Sequence, residues 1–199
     1  MTPRPVGREA KKHETRRALG FAAQELAVQR GLHGFVVEDV TAEAGVSRRT
    51  FFNYFTRKEE AVVAVGGFVF EDGMALLRER PADEPVFESL RAVATLISTA
   101  ENRELITRSM TLGREYPELV PYELANREHM VTAAHEALAE RLTSDQCSGF
   151  YSLALVHATF AVLAAAFGCA ALTPGSDVEG FIDEAFHYLR TGFDPTTSG

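Results

Sequence analysis

Residues 35–58, FVVEDVTAEAGVSRRTFFNYFTRK, leave this chain few ways to fold. Val37, Val40 and Ala44 are spaced three and four apart, which gives a short helix one apolar face. Gly45 follows, and glycine tolerates the left-handed backbone that ends a helix. Ser47 then offers a side-chain oxygen to the free amides of a second short helix, expected to run through Tyr54. Phe52 and Phe55, three apart, are expected to anchor that helix in a core. Helix, glycine turn and helix make a helix-turn-helix, whose second helix fits a DNA major groove.

Arg48, Arg49, Thr50 and Asn53 occupy the start and one side of the second helix. Arginine can bond guanine through two atoms, asparagine can do the same with adenine, and threonine can meet a thymine methyl. An ordinary amphipathic helix pair with a solvated basic end would carry the same residue types. The order GVSRRTFFNYFTRKEE separates the two readings. It resembles the DNA-reading domain of TetR-family transcriptional regulators at Gly45, Val46, Ser47, Thr50, Phe51, Phe52, Tyr54, Phe55, Lys58 and Glu59. Leu19, Ala22, Ala23, Leu26 and Gly31 match the family's first helix and its end, so the resemblance covers about the first third of the chain. It implies base contacts from Arg48, Arg49, Thr50 and Asn53, and phosphate contacts from Ser47, Tyr54 and Lys58. Three positions depart from the pattern. Val36 stands where the family places a capping threonine, and losing such a cap costs about 1 kcal/mol. Ala27 replaces a large aromatic, a loss that Phe35 is placed to offset. Arg57 replaces a small residue before the next helix.

Net charge agrees with the resemblance once its distribution is considered. The formal charge of −8 argues against a nucleic-acid partner. Residues 1–60, however, carry 11 Lys and Arg against 8 Asp and Glu, whereas residues 61–199 carry 9 against 20. A basic end on an acidic body suits a protein that touches DNA at one end only. Cys147 and Cys169 show no metal-ligand spacing and are expected as free, buried thiols in a reducing compartment. The first residues are charged and lack an apolar run, so no signal peptide is expected.

The remaining pattern is helical throughout. Residues 8–30 form an amphipathic helix whose start is crowded with Arg8, Lys11, Lys12, Arg16 and Arg17. These are either phosphate or minor-groove contacts or a solvated face. Thr56 and Glu59 suggest a capping box for a helix over residues 57–80, in which Lys58 opposes the helix dipole. Gly66, Gly67 and Gly73 in that helix suggest either close approach by a neighbour or an eased pivot of a helix that joins the DNA-reading end to the body. After the break at Pro81–Pro85, Phe87, Leu90, Val93, Ala94 and Ile97 mark one helix. Leu105, Ile106, Met110 and Leu112 mark a short one, and Leu124, Val131, Ala134, Leu138 and Leu142 a longer one.

Residues 146–176 carry no charge beyond His157 and exceed the length of about 20 residues needed to span a bilayer. The run lacks basic flanks and has two unlike faces. Leu153, Val156, Phe160, Leu163 and Phe167 form a bulky face suited to a core. Ala154, His157, Ala161, Ala165 and Gly168 form a small-residue face suited to another subunit. Ser176 and Glu179 suggest a capping box for a last helix with Val178, Ile182, Ala185 and Leu189 inward. The resemblance implies that the last two helices pack against their copies, with Ile182 and Ala185 joining the small-residue face at the interface.

No catalytic motif or metal-ligand spacing is present, so an enzyme is not expected and no cofactor is implied. The resemblance implies a small-molecule effector. The segment REYPELVPYELANREH is similar to mycofactocin-type regulators, which points to an acyl-CoA-like ligand. Arg91, Arg108, Arg114 and Arg127 are candidates to meet its anionic part, and Met110, Phe160 and Phe167 to line an apolar tube. The sequence thus reads as all-α, with about nine helices. Residues 8–56 would form a DNA-binding domain and 57–194 a ligand-binding and dimerisation domain. The expected protein is a cytoplasmic homodimeric repressor of a palindromic operator, released by its ligand. Two alternatives stay open: a regulator tethered to a membrane by residues 146–176, and a DNA-binding head fused to an enzymatic body.

Overall fold

The computed structural model describes residues 6–142, 149–172 and 177–193. Among the described residues there are nine α-helices, one 3-10 turn and no strand, as the periodicity requires. The helices are α1 (Val6–Arg30), α2 (Val37–Glu43), α3 (Arg48–Phe52), α4 (Lys58–Glu79) and α5 (Val86–Ile97). Then come α6 (Ala100–Glu115), the 3-10 turn Pro117–Leu119, α7 (Val120–Ala139), α8 (Gly149–Leu172) and α9 (Val178–Thr191).

The helices group into two compact units that are not consecutive in sequence. One unit joins residues up to Phe68 with Arg108–Asn126, and the other joins Val69–Thr107 with the residues from Arg127 onward. The first unit is closed by Leu19, Ala23, Leu32, Val40, Phe51, Val65, Phe68 and Leu119, all fully or almost fully buried. Ala27 and Phe35 are both buried in it, in line with the expected exchange of bulk. Gly20 is there because the Phe68 ring edge lies 2.6 Å from where a Cβ would stand. Arg16 and Arg17 turn toward that same ring, 4.8 and 5.4 Å from its centroid, and so face their own unit.

In the second unit α9 packs along α8 and against α5. Leu77, Leu90, Val93, Leu138, Val156, Phe167, Ile182 and Phe186 form its core. Arg141 closes the C-terminal end of α4, where unpaired carbonyls need donors. Its guanidinium donates to the carbonyls of Leu77, Arg80 and Pro81 and to Ser89 Oγ, at 2.6 to 3.0 Å. Ser89 in turn donates to Glu84, which also receives two bonds from Arg80. Those bonds hold the Glu84 carboxyl well below the usual carboxylate range, at about 2, with Arg80 the larger cause and Ser89 the next.

Several local expectations are corrected. The carboxylate that caps the start of α4 is Glu60, which accepts from Thr56 N and Oγ1 at 2.7 and 2.8 Å, and not Glu59. Of the three α4 glycines, Gly67 and Gly73 lie against Asn126 and Val93, whereas Gly66 faces open space. Leu153 and Leu124 are exposed, at 42% and 57%. The inner side of α8 is instead Leu155, Val156, Val162, Ala166 and Phe167. Cys169 is exposed, not buried. Cys147 and the proposed cap Ser176 lie outside the described residues.

Candidate nucleic-acid interface

The helix-turn-helix forms where the sequence places it. Helix α2 covers Val37–Glu43, Gly45 takes φ +66°, and Ser47 caps α3 by accepting from Thr50 N at 3.1 Å. Val36 has no side-chain acceptor to offer, but Asp39 reaches back and accepts from Val36 N at 2.8 Å. Half of a capping box therefore survives the missing threonine. Helix α3 is short: five residues, with Asn53 as its C-terminal cap.

That shortness decides which rings are buried. Phe51 and Phe55, at 0% and 2% exposure, fix α3 to its unit, and Phe52 is 48% exposed, so the expected Phe52 anchor is corrected to Phe51. Phe52 is four residues after Arg48 and shares its face, as helical spacing requires. The Arg48 guanidinium sits 5.4 Å from the Phe52 ring centroid, and its Nε lies 3.1 Å from Glu38 Oε1 on α2. Arg48, Arg49 and Asn53 are exposed, and Thr50 is half-buried. Thr50 Oγ1 lies 2.9 Å from Ser47 Oγ, so the two hydroxyls engage each other. Tyr54 is half-buried beside this surface.

Lys58 turns toward the loop between α1 and α2. Its ammonium donates to the carbonyls of Leu32 and Phe35 at 2.6 and 2.7 Å and lies 4.6 Å from the Phe35 ring centroid. Two of its three donors are taken up by the loop between α1 and α2. The cation that opposes the α4 dipole is thus balanced by carbonyls of its own unit. The same loop is held from a second side, which sequence reasoning did not foresee. Gly31, at φ +73°, leaves room for the Tyr116 hydroxyl, and His33 Nε2 lies 2.9 Å from Glu118 Oε1. Arg108 pairs with Glu25 and Gln24 donates to Ser109, both at 2.8 Å, tying the middle of α6 to α1.

The expected ligand-pocket residues are divided between the two units. Arg108, Met110 and Arg114 belong to the first unit, and Arg91, Arg127, Phe160 and Phe167 to the second. Arg91 pairs with Asp183 at 2.7 Å, so its charge, like that of Arg108, is already met within its own unit. With Glu88, Asp183, Phe186, His187 and Arg190 it lines a shallow cavity of roughly 260 Å³ between α5 and α9. Phe160 packs on Phe70, ring centroids 5.6 Å apart, and Phe167 is buried. Among the described residues no group of His, Cys, Asp and Glu is arranged to hold a metal ion.

On α8, Ala154, His157, Ala161 and Ala165 are exposed and Gly168 is half-buried, as a docking face requires. Ile182 and Ala185 are buried in their own unit, at 1% and 7%, and cannot also line that face. Helix α8 is the one helix among the described residues long and apolar enough to cross a bilayer by length and composition.

A capped two-helix motif with exposed arginines and asparagine on its second helix defines a helix-turn-helix DNA-binding protein. Two family models match the chain: the bacterial regulatory protein tetR family at residues 22–65, and the MftR C-terminal domain at residues 84–194. The second spans more than half of the sequence, and the chain belongs to the TetR family of transcriptional regulators, with an MftR-type C-terminal domain. Members of this family are not enzymes. Solved structures share the fold. A protein from Syntrophomonas wolfei assigned to the TetR family has a TM-score of 0.66 at 13% identity, covering 94% of this chain and 99% of its own. A transcriptional regulator from Rhodococcus sp. Rha1 has a TM-score of 0.52 at 19% identity, covering 90% and 99%. No curated protein matches the chain.

Proposed function

We propose that this protein is a homodimeric repressor that reads a palindromic operator and leaves it when a small molecule binds. The observation that carries the reading is the exposed set of Arg48, Arg49 and Asn53 on a helix fixed from behind by Phe51 and Phe55. Arg48, Arg49, Thr50 and Asn53 contact bases, while Ser47 and Tyr54 bond phosphates and set register. Two copies, joined through the small-residue face of α8, place two such helices in major grooves about one turn apart. The same face gives α8 a partner other than lipid, and the protein works in the cytoplasm. The effector is acyl-CoA-like, anionic at one end and apolar along its length, and the MftR-type body supports that reading. It releases the operator to the extent that it binds the DNA-free conformation better.

Selection from a randomised duplex pool tests the DNA reading. The expected product is an inverted repeat, and Arg49→Ala should weaken binding to it more than to random DNA. Equal weakening of both would remove Arg49 from the base contacts. Native mass spectrometry of the freshly purified protein checks for a dimer and a copurified ligand.

A further inference from the structure

Arg48 differs from the other residues on the reading helix in being held from two sides. Glu38 on α2 places a carboxylate oxygen 3.1 Å from its Nε, and the Phe52 ring supports its guanidinium at 5.4 Å. Both contacts lie open to water. Arg48 and Glu38 side chains are 66% and 58% exposed, and an ion pair that open to water adds little to stability. Phe52 remains 48% exposed although Phe51 and Phe55 already fill the core behind α3. What the two contacts do is restrict where Arg48 points. A carboxylate on Nε leaves both terminal nitrogens available as a fork, and the Phe52 ring on the same face limits where that fork can swing.

We propose that Glu38 and Phe52 are positioning residues for base recognition, presenting the terminal nitrogens of Arg48 to the O6 and N7 of one guanine per half-site. This rests on the reading of Arg48 as a base contact. Glu38 is an acid near DNA phosphates, so it lowers general affinity for duplex while raising discrimination at one base pair. Ordering a long side chain before binding removes part of the entropy cost of the contact, which corresponds to about three- to tenfold in preference for that base.

Selection from a randomised duplex pool with the full-length protein tests this, comparing wild type, Arg48→Ala, Glu38→Ala, Phe52→Leu and the double variant Glu38→Ala/Arg48→Ala. Arg48→Ala should erase the preference at one position of each half-site. Glu38→Ala and Phe52→Leu should reduce preference at that same position by about three- to tenfold. They should keep the preferences set by Arg49 and Asn53, and bind random duplex as well as wild type or better. The double variant should be no less selective than Arg48→Ala. Far-ultraviolet circular dichroism should show the wild-type helix content in all of them. Preference at the Arg48 position within twofold of wild type in Glu38→Ala and Phe52→Leu would overturn the proposal. So would loss in Glu38→Ala at a position that Arg48→Ala retains, since Glu38 would then read a base itself. An Arg48→Ala profile identical to wild type would instead remove the base-contact reading on which the proposal stands.

Discussion

Lys58 shows how one side chain can carry a role its position in a motif does not announce. A lysine in the first turn of a helix works against the dipole, and a DNA phosphate is an obvious compensation. The carbonyls of Leu32 and Phe35 supply that compensation within the same unit. Lys58→Met keeps the apolar stem and removes the charge, leaving both carbonyls short of a donor. It should lower unfolding stability by about 2 kcal/mol, the typical worth of hydrogen bonds to a charged group. A salt titration of operator affinity should keep its wild-type slope. If the slope flattened by one unit with stability unchanged, the lysine would belong to the phosphate contacts after all. Sequence alone had no access to this distinction, because Leu32 and Phe35 meet Lys58 only in three dimensions. The burial of Phe51 was more accessible: Arg48 and Phe52 are four apart, so an exposed Arg48 implies an exposed Phe52.

Helix limits and glycine turns were legible because they depend on local chemistry: Gly31, Gly45, Ser47 and the α4 range are all close to where periodicity places them. The orientation of the longer helices was less so. Helix α8 is apolar on every side, and periodicity cannot say which apolar side faces inward, so Leu153 was assigned to a core it does not enter. The α4 glycines were likewise indistinguishable in sequence. Gly66→Ala meets open space and should stabilise the protein by about 1 kcal/mol, whereas Gly67→Ala must displace Asn126 from its bond to Val63 and lose that gain. Thermal unfolding of the two variants checks this, and equal midpoints would contradict it. The turn from α4 to α5 makes a pH prediction. Arg80 and Ser89 hold Glu84 below the ordinary carboxylate range, so its contribution is complete above about pH 4.5 and is lost as pH falls toward 2. Glu84→Gln should have a lower unfolding midpoint than wild type at pH 7, and the gap should narrow below about pH 4.5 and close only as pH falls through about 2. Parallel curves across that window would show that the contribution of Glu84 does not depend on its charge.

At the scale of the molecule, α8 presents an exposed run of small side chains on a helix with mean hydropathy 2.0, one third of it buried. A second copy covers such a face without steric cost, and a specific interface of this kind needs about 800 Å² per partner. Ala161→Glu should turn the proposed dimer into a monomer in sedimentation velocity. Operator affinity should fall steeply with it, because each half-site is then bound alone. A dimer that survived Ala161→Glu would place the interface elsewhere. Clean purification without detergent is expected, and a requirement for detergent would favour the membrane reading.

The loop before α2 is braced by Tyr116 and Glu118, residues made long after it. The reading helix therefore precedes in the chain the residues that brace the loop beside it. While the chain is synthesised, α1, α2 and α3 emerge without the segment that holds their connecting loop, and loop closure over so long an interval is slow. A nascent or prematurely ended polypeptide carries the reading residues but lacks their brace. Only chains that extend past residue 118 carry the side chains that brace this loop.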